Sequence, residues 1–80
     1  MTEASISQRL QQCFQAVFPS LTEREIAAAS SETVSDWDSV AQVTLISVVE
    51  EEFAVVVPEE KYGEMLSFGA WRAYLETPRG

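Results

Sequence analysis

Residues 35–53, SDWDSVAQVTLISVVEEEF, include the most apolar segment of the chain and decide its fold. Apolar side chains recur there at helical spacing, which predicts a helix from Val40 to Phe53. At about 3.6 residues per turn, four of these side chains fall within about one third of the helix circumference. The predicted buried face consists of Leu45, Ile46, Val49 and Phe53.

The opposite face of this helix changes character along its length. It consists of Val40, Thr44, Ser47 and Glu51, with Val43 on its flank. Three consecutive glutamates, Glu50 to Glu52, lie at the negative end of the helix dipole, where carboxylates are unfavourable. The sequence shows no local partner for them, which hints at an external basic partner. A charged face kept for solubility is the alternative.

Two further main helices are predicted, one on each side of this segment. Ser5 and Gln8 can form a capping box, and Pro19 marks the end of a helix over residues 5–18. The apolar stripe of that helix consists of Ile6, Leu10, Cys13, Phe14, Val17 and Phe18. Ser67 can cap a last helix, whose apolar face consists of Phe68, Trp71 and Leu75.

The segments between these helices are predicted to hold only short structure. In the long polar connection over residues 20–37, Thr22 and Glu25 can cap a helical turn around residues 26–29. Residues 54–57 are interpreted as an extended connector with its side chains in the core, and residues 59–64 as one short helical turn. The predicted fold is all-α, a small four-helix bundle of three main helices and one short helix. A long loop joins its first two helices.

Composition and charge limit the possible functions. The chain has 80 residues, 46% of them hydrophobic, which predicts a single domain over residues 1–80. A net charge of −8 repels nucleic acid and anionic membranes, and attracts partners with basic patches. With one cysteine and no histidine, we expect no internal disulfide and no metal site. Residues 1–5 do not resemble a signal peptide, so we expect a cytoplasmic protein.

Ser39 stands immediately before the first apolar position of the central helix. Either Ser39 or Asp38 can act as the N-cap, and Gln42 even permits a capping box with Ser39. If Asp38 caps the helix instead, the Ser39 hydroxyl is free and lies at a helix end that tolerates a phosphate.

The stretch from Trp37 to Glu60 resembles the acyl carrier protein family. Asp38-Ser39-Val40 matches the Asp-Ser-Leu that opens a helix in that family, and Glu50-Glu51-Glu52-Phe53 matches the acidic close. Val55 and Val57 match the apolar connector, and Ser67 matches the start of the last helix. With the first helix and the loop after it, the resemblance covers nearly the whole chain.

The resemblance implies that Ser39, next to Asp38, carries a 4′-phosphopantetheine arm transferred from coenzyme A by a phosphopantetheinyl transferase. The thiol of the arm would hold acyl groups as thioesters, so the chain would be a carrier and not an enzyme. Acyltransferases, ketosynthases or acyl ligases would dock on a surface consisting of Val40, Val43, Thr44, Ser47, Glu50 and Glu51. The acyl chain would enter a pocket lined by Leu45, Ile46, Val49 and Phe68, although plain core packing explains these four residues equally well.

The chain departs from the family pattern at several positions. Val40 replaces the usual leucine, and Ala41, Gln42 and Thr44 stand where carriers of primary fatty acid biosynthesis tend to have acids. Trp37 is more typical of discrete carriers in specialised pathways, which favours polyketide-type or similar biosynthesis. Two alternatives remain: an aminoacyl or peptidyl carrier with the same Ser39 chemistry, and an unmodified helical adaptor.

Overall fold

Every regular element in residues 5–76, the part described by our computed structural model, is a helix. In chain order these are α1 (Ile6–Val17), α2 (Glu23–Ala27), α3 (Ser39–Phe53), a 3-10 helix (Glu59–Glu64) and α4 (Phe68–Glu76). The predicted all-α class is therefore confirmed for these residues. The prediction about a signal peptide concerns residues 1–5, of which 1–4 lie outside the described range.

The helices begin where local capping chemistry allows. At α1 the Ser5 hydroxyl accepts from the Gln8 amide at 3.1 Å, and the Gln8 side chain accepts from the Ser5 amide at 3.1 Å. Thr22 and Glu25 form the same reciprocal pair at α2. Both predicted capping boxes are confirmed, and α2 begins three residues before the predicted turn because Thr22 starts it.

The core lies between α1, α3 and α4, and it extends into the segment before α3. Its fully buried large side chains are Leu10, Phe14, Ile26, Leu45, Val49 and Trp71. Trp37 joins them, with its ring centroid 5.5 Å from those of both Phe14 and Phe18. The connection between α1 and α3 is therefore anchored by buried side chains and contains a helix of its own.

Main-chain hydrogen bonds join two connections that are distant in sequence. The Ser31 amide donates to the Leu66 carbonyl at 2.9 Å, and the Phe68 amide donates to the Ala29 carbonyl at 3.0 Å. Ser30 and Ser67 form an isolated antiparallel bridge between them. The segment before α3 is thereby fixed to the segment before α4.

The connector after α3 differs from its prediction. Val57 is buried, but Val56 is exposed to solvent and Val55 only partly covered, so the expectation that these side chains enter the core is wrong for Val56. An extended chain turns successive side chains to opposite sides, so neighbours cannot all face one core. Ala54 precedes the connector in the left-handed conformation, with φ 54° and ψ 47°.

The acidic end of α3 is partly held by the fold, which corrects the prediction that nothing local stabilises it. The Glu50 carboxylate accepts from the Val57 amide at 2.7 Å. Arg9 donates to the Glu52 carboxylate at 2.9 Å and to the Glu52 carbonyl at 2.6 Å. Two of the three glutamates thus have partners within the chain.

Within residues 5–76, no helix has both the length and the hydrophobicity that crossing a membrane requires.

Candidate functional site

The N-terminus of α3 is capped by Asp38. Its side-chain Oδ1 accepts from the Ala41 amide at 2.8 Å, and its carbonyl accepts from the Gln42 amide at 2.9 Å. Asp38 has the extended backbone typical of an N-cap, with φ −102° and ψ −171°. Of the two candidate caps, the structure therefore has Asp38, and Ser39 is the first residue of the helix.

The Ser39 side chain is exposed, and its hydroxyl makes no hydrogen bond to any group in residues 5–76. The backbone amides of Ser39 and Val40 likewise have no acceptor within that range. Unpaired amides at a helix N-terminus carry partial positive charge and favour a negatively charged group such as a phosphate. An enzyme can reach this hydroxyl from solvent, and a phosphate ester there would lie beside the helix amides.

The capping box between Ser39 and Gln42 does not form, because the Gln42 side chain is used elsewhere. Gln42 Oε1 accepts from the Trp37 indole at 2.6 Å. Gln42 Nε2 donates to the carbonyls of Tyr62 and Met65, each at 3.0 Å. Gln42 therefore joins the segment before Ser39 to the 3-10 helix and the residue that follows it.

The exposed face of α3 next to Ser39 is uncharged. Val40 is 73% exposed and Val43 60% exposed, values that are unusual for β-branched apolar side chains. Thr44 and Ser47 are exposed on the same face, and the Thr44 hydroxyl donates to the Val40 carbonyl at 3.0 Å. Glu51 is exposed, whereas Glu50 is half-buried and oriented by Val57. The predicted docking residues thus form an apolar start and an acidic end.

The four residues of the predicted acyl pocket lie in the packed core. Leu45, Ile46, Val49 and Phe68 are all buried. A surface groove of about 440 Å³ lies on another side of α3, against α1, and its lining consists of Gln12, Cys13, Ala16, Val48, Glu51 and Glu52. The structure thus places the predicted pocket residues together, as buried members of one hydrophobic core.

No family model matches the chain, and no curated protein matches it at a significant level. The resemblance to acyl carriers therefore rests on the sequence motif around Asp38 and Ser39 alone.

The chemistry available to the chain itself is limited. It contains no histidine that could activate Ser39 as a nucleophile. Burial, followed by the nearby Glu52 carboxylate, raises the pKa of the Cys13 thiol to about 11, so this sulfur is a protonated, unreactive thiol at neutral pH. Among residues 5–76, no cluster of three potential metal ligands occurs.

The sequence pattern suggests a different role for Gln42, as a capping partner of Ser39, and does not predict its hydrogen bonds to Trp37, Tyr62 and Met65. An indole donor and an amide five residues apart across a helix start are compatible with a hydrogen bond, and that spacing was a usable signal. The carbonyls of Tyr62 and Met65 gave no such signal, because any residue supplies a carbonyl and the contact spans at least 20 residues of sequence.

Proposed function

We propose that the chain is a free-standing acyl carrier protein whose Ser39 bears a 4′-phosphopantetheine arm. The N-cap of α3 is the observation that supports this function best. The Asp38 side chain caps α3 at the Ala41 amide, and the Ser39 hydroxyl is left exposed and without a hydrogen-bond partner among residues 5–76. In this proposal, α1, α3, the 3-10 helix and α4 are the four helices of the carrier bundle, and α2 lies in its long loop.

The residues at the start of α3 fit the attached group. The amides of Ser39 and Val40 can donate to phosphate oxygens, and Asp38 directs its Oδ1 to the Ala41 amide. Exposed Val40 and Val43 offer apolar contact beside the attachment point. The arm supplies the thiol that holds acyl groups as thioesters, a role that buried Cys13 cannot fill.

Attachment is a group transfer at Ser39. Its Oγ forms a bond to the phosphorus of coenzyme A that bears the pantetheine, and the bond from that phosphorus to the bridging pyrophosphate oxygen breaks. Adenosine 3′,5′-bisphosphate leaves with the electron pair, and the Ser39 proton passes to a base on the transferase.

Partner enzymes would meet the loaded arm over the exposed face of α3. Val40, Val43, Thr44 and Ser47 present an uncharged surface, with Glu51 beyond it, to acyltransferases, ketosynthases or acyl ligases. We assign the carrier to polyketide-type or related specialised biosynthesis, acting as a cytoplasmic monomer. A partner that matches this face combines an apolar patch with a basic edge toward Glu51.

Intact mass spectrometry tests the proposal directly. The wild-type protein, incubated with coenzyme A and a broad-specificity phosphopantetheinyl transferase, gains the mass of one phosphopantetheine, mapped to Ser39. Ser39→Ala gains nothing, whereas Ser47→Ala is labelled normally because it removes another exposed serine of α3. An unchanged wild-type mass, or a label on another residue, contradicts the proposal.

The same material separates the alternative functions. Loading by acyl ligases or by aminoacyl ligases distinguishes an acyl carrier from an aminoacyl or peptidyl carrier. An adaptor would keep its partner binding in Ser39→Ala, whereas a carrier would lose all of its function.

A further inference from the structure

We propose that Gln42 is the positioning residue of the Ser39 site. Its side-chain amide fixes the segment that leads into Ser39 against the segment from Tyr62 to Met65, and so sets how the Ser39 hydroxyl is presented to the transferase. This inference rests on the proposed function, because it concerns the same hydroxyl and the same transfer.

The hydrogen bonds of Gln42 define one orientation of its amide. Oε1 faces the Trp37 indole, which can only donate, and Nε2 faces two carbonyls, which can only accept. In the flipped amide, the NH2 group would face the indole N–H and the oxygen would face two carbonyl oxygens. Three hydrogen bonds in a part-buried setting therefore hold this side chain in a single arrangement.

Trp37 is fixed at both ends by these contacts. Its indole nitrogen is held by Gln42 at 2.6 Å, and its rings pack against Phe14 and Phe18 with centroids 5.5 Å apart. Its amide also donates to the Val34 carbonyl at 3.0 Å. Since Trp37 immediately precedes the cap Asp38, this anchoring determines the direction in which the chain enters α3.

Gln42 and Ser39 are close neighbours on the helix surface. Residues three apart in an α-helix lie on the same side, about one turn from each other. The segment that contains the Tyr62 and Met65 carbonyls therefore runs along the side of α3 that bears Ser39. A transferase that reaches Ser39 meets this segment too, and a shift of about 1 Å in the reacting oxygen can cost about a hundredfold in rate.

Two variants each remove part of the hydrogen bonding of Gln42, one the bond to the Trp37 indole and the other the bonds to the two carbonyls. Trp37→Phe keeps an aromatic ring against Phe14 and loses the indole donor, together with part of the buried ring area. Gln42→Glu keeps an acceptor for the indole and replaces the donor to both carbonyls with a carboxylate that repels them. Gln42→Met has a similar length and removes all three hydrogen bonds.

Steady-state kinetics of the transferase, with each protein as the varied acceptor, provides the test. We expect kcat/KM for the acceptor to fall about tenfold in Gln42→Met and less in Gln42→Glu and Trp37→Phe, with KM for coenzyme A unchanged. Thr22→Ala is the matched control. It removes the cap of α2, which packs on α1 and α4, and should lower stability comparably without changing the kinetics.

A second measurement does not depend on the transferase. Backbone ¹⁵N relaxation of the unmodified proteins should show lower order parameters at Asp38, Ser39 and Val40 in Gln42→Met than in Thr22→Ala. A wild-type kcat/KM for the acceptor together with wild-type order parameters in Gln42→Met would overturn the positioning role alone. Absence of modification in the wild type overturns the proposed function, and the positioning role with it.

Discussion

At the scale of single residues, Ala54 is the clearest local strain among residues 5–76. It has φ 54°, the only positive φ of a non-glycine residue in that range, and it ends α3. Its amide and that of Val55 both donate to the Glu50 carbonyl, so the turn satisfies the helix end. An alanine pays a steric penalty there that glycine does not, because its Cβ approaches the following carbonyl oxygen.

Ala54→Gly is expected to raise the free energy of unfolding by about 0.5–1 kcal/mol, since relief of the left-handed strain exceeds the added freedom of the unfolded chain. Urea denaturation followed by circular dichroism measures the change. Ala28→Gly is the matched control at another helix end, where φ is −104° and glycine brings no relief. Equal effects of the two substitutions would contradict the explanation.

Cys13 gives a prediction about alkaline pH. Its pKa is about 11 in the folded chain and 9.0 as a free thiol, so the unfolded state loses its proton first. Below pH 9 the thiol is protonated in both states and has no effect on the free energy of unfolding. Between about pH 9 and 11 that free energy falls as pH rises. The loss should approach about 3 kcal/mol, and Cys13→Ala should lack this component when the pH dependence of unfolding of the two proteins is compared.

At the scale of elements, Arg9 connects α1 to the C-terminus of α3. Its guanidinium bonds the Glu52 carboxylate and carbonyl and lies 4.5 Å from the centroid of the Phe53 ring. A cation at the carbonyl end of a helix is favoured by the helix dipole. The contact therefore offsets the unfavourable position of the glutamates at that end.

Arg9→Gln is expected to lower the free energy of unfolding by about 1–2 kcal/mol, because a charge-assisted bond to a helix carbonyl and a stacked ring contact are lost together. Arg9→Lys should recover only part of it, since a lysine cannot bond two groups in a fork and stack at the same time. Arg72→Gln is the control: it breaks an exposed pair with Glu76 one turn away and should cost at most about 0.5 kcal/mol. A larger loss of unfolding free energy in Arg72→Gln than in Arg9→Gln, measured by chemical denaturation, would refute this account.

At the scale of the whole molecule, charge repulsion opposes folding. The chain of 80 residues carries thirteen acids and only five bases. Two of the ion pairs within residues 5–76 are exposed pairs within a helical turn, Lys61 with Glu64 in the 3-10 helix and Arg72 with Glu76 in α4. Such pairs contribute little to stability. Net repulsion among the acidic side chains therefore favours the unfolded chain at low ionic strength.

Raising sodium chloride from about 0.01 M to 0.1 M shortens the screening length from about 30 Å to 10 Å and should increase the thermal midpoint. Glu51→Gln removes an exposed charge from the negative end of α3 and should add about 0.3–1 kcal/mol at low salt. It should also reduce the salt dependence. A midpoint that falls with added salt would mean that attractive pairs dominate instead.

The sequence predicts this fold well wherever the determining contacts are local. The capping boxes of α1 and α2 follow from side chains three residues apart, Ser67 caps α4 by accepting from the Ala70 amide at 3.0 Å, and the apolar stripes follow from helical spacing. Trp37 was missed as core because one apolar residue in a polar segment has no periodicity. The same limit applies to the candidate site: Asp38 and Ser39 stand out as a motif, whereas the contacts of Gln42 depend on how distant segments meet.

The main-chain pairing between residues 29–31 and 66–68 has a practical consequence. Because it uses amides and carbonyls, it is largely indifferent to the side chains at Ser31 and Glu32, neither of which is buried. A fluorophore or spin label introduced at exposed Glu32 should therefore leave this pairing intact. Proline is the one replacement to avoid at position 31, because it would abolish the donor to Leu66.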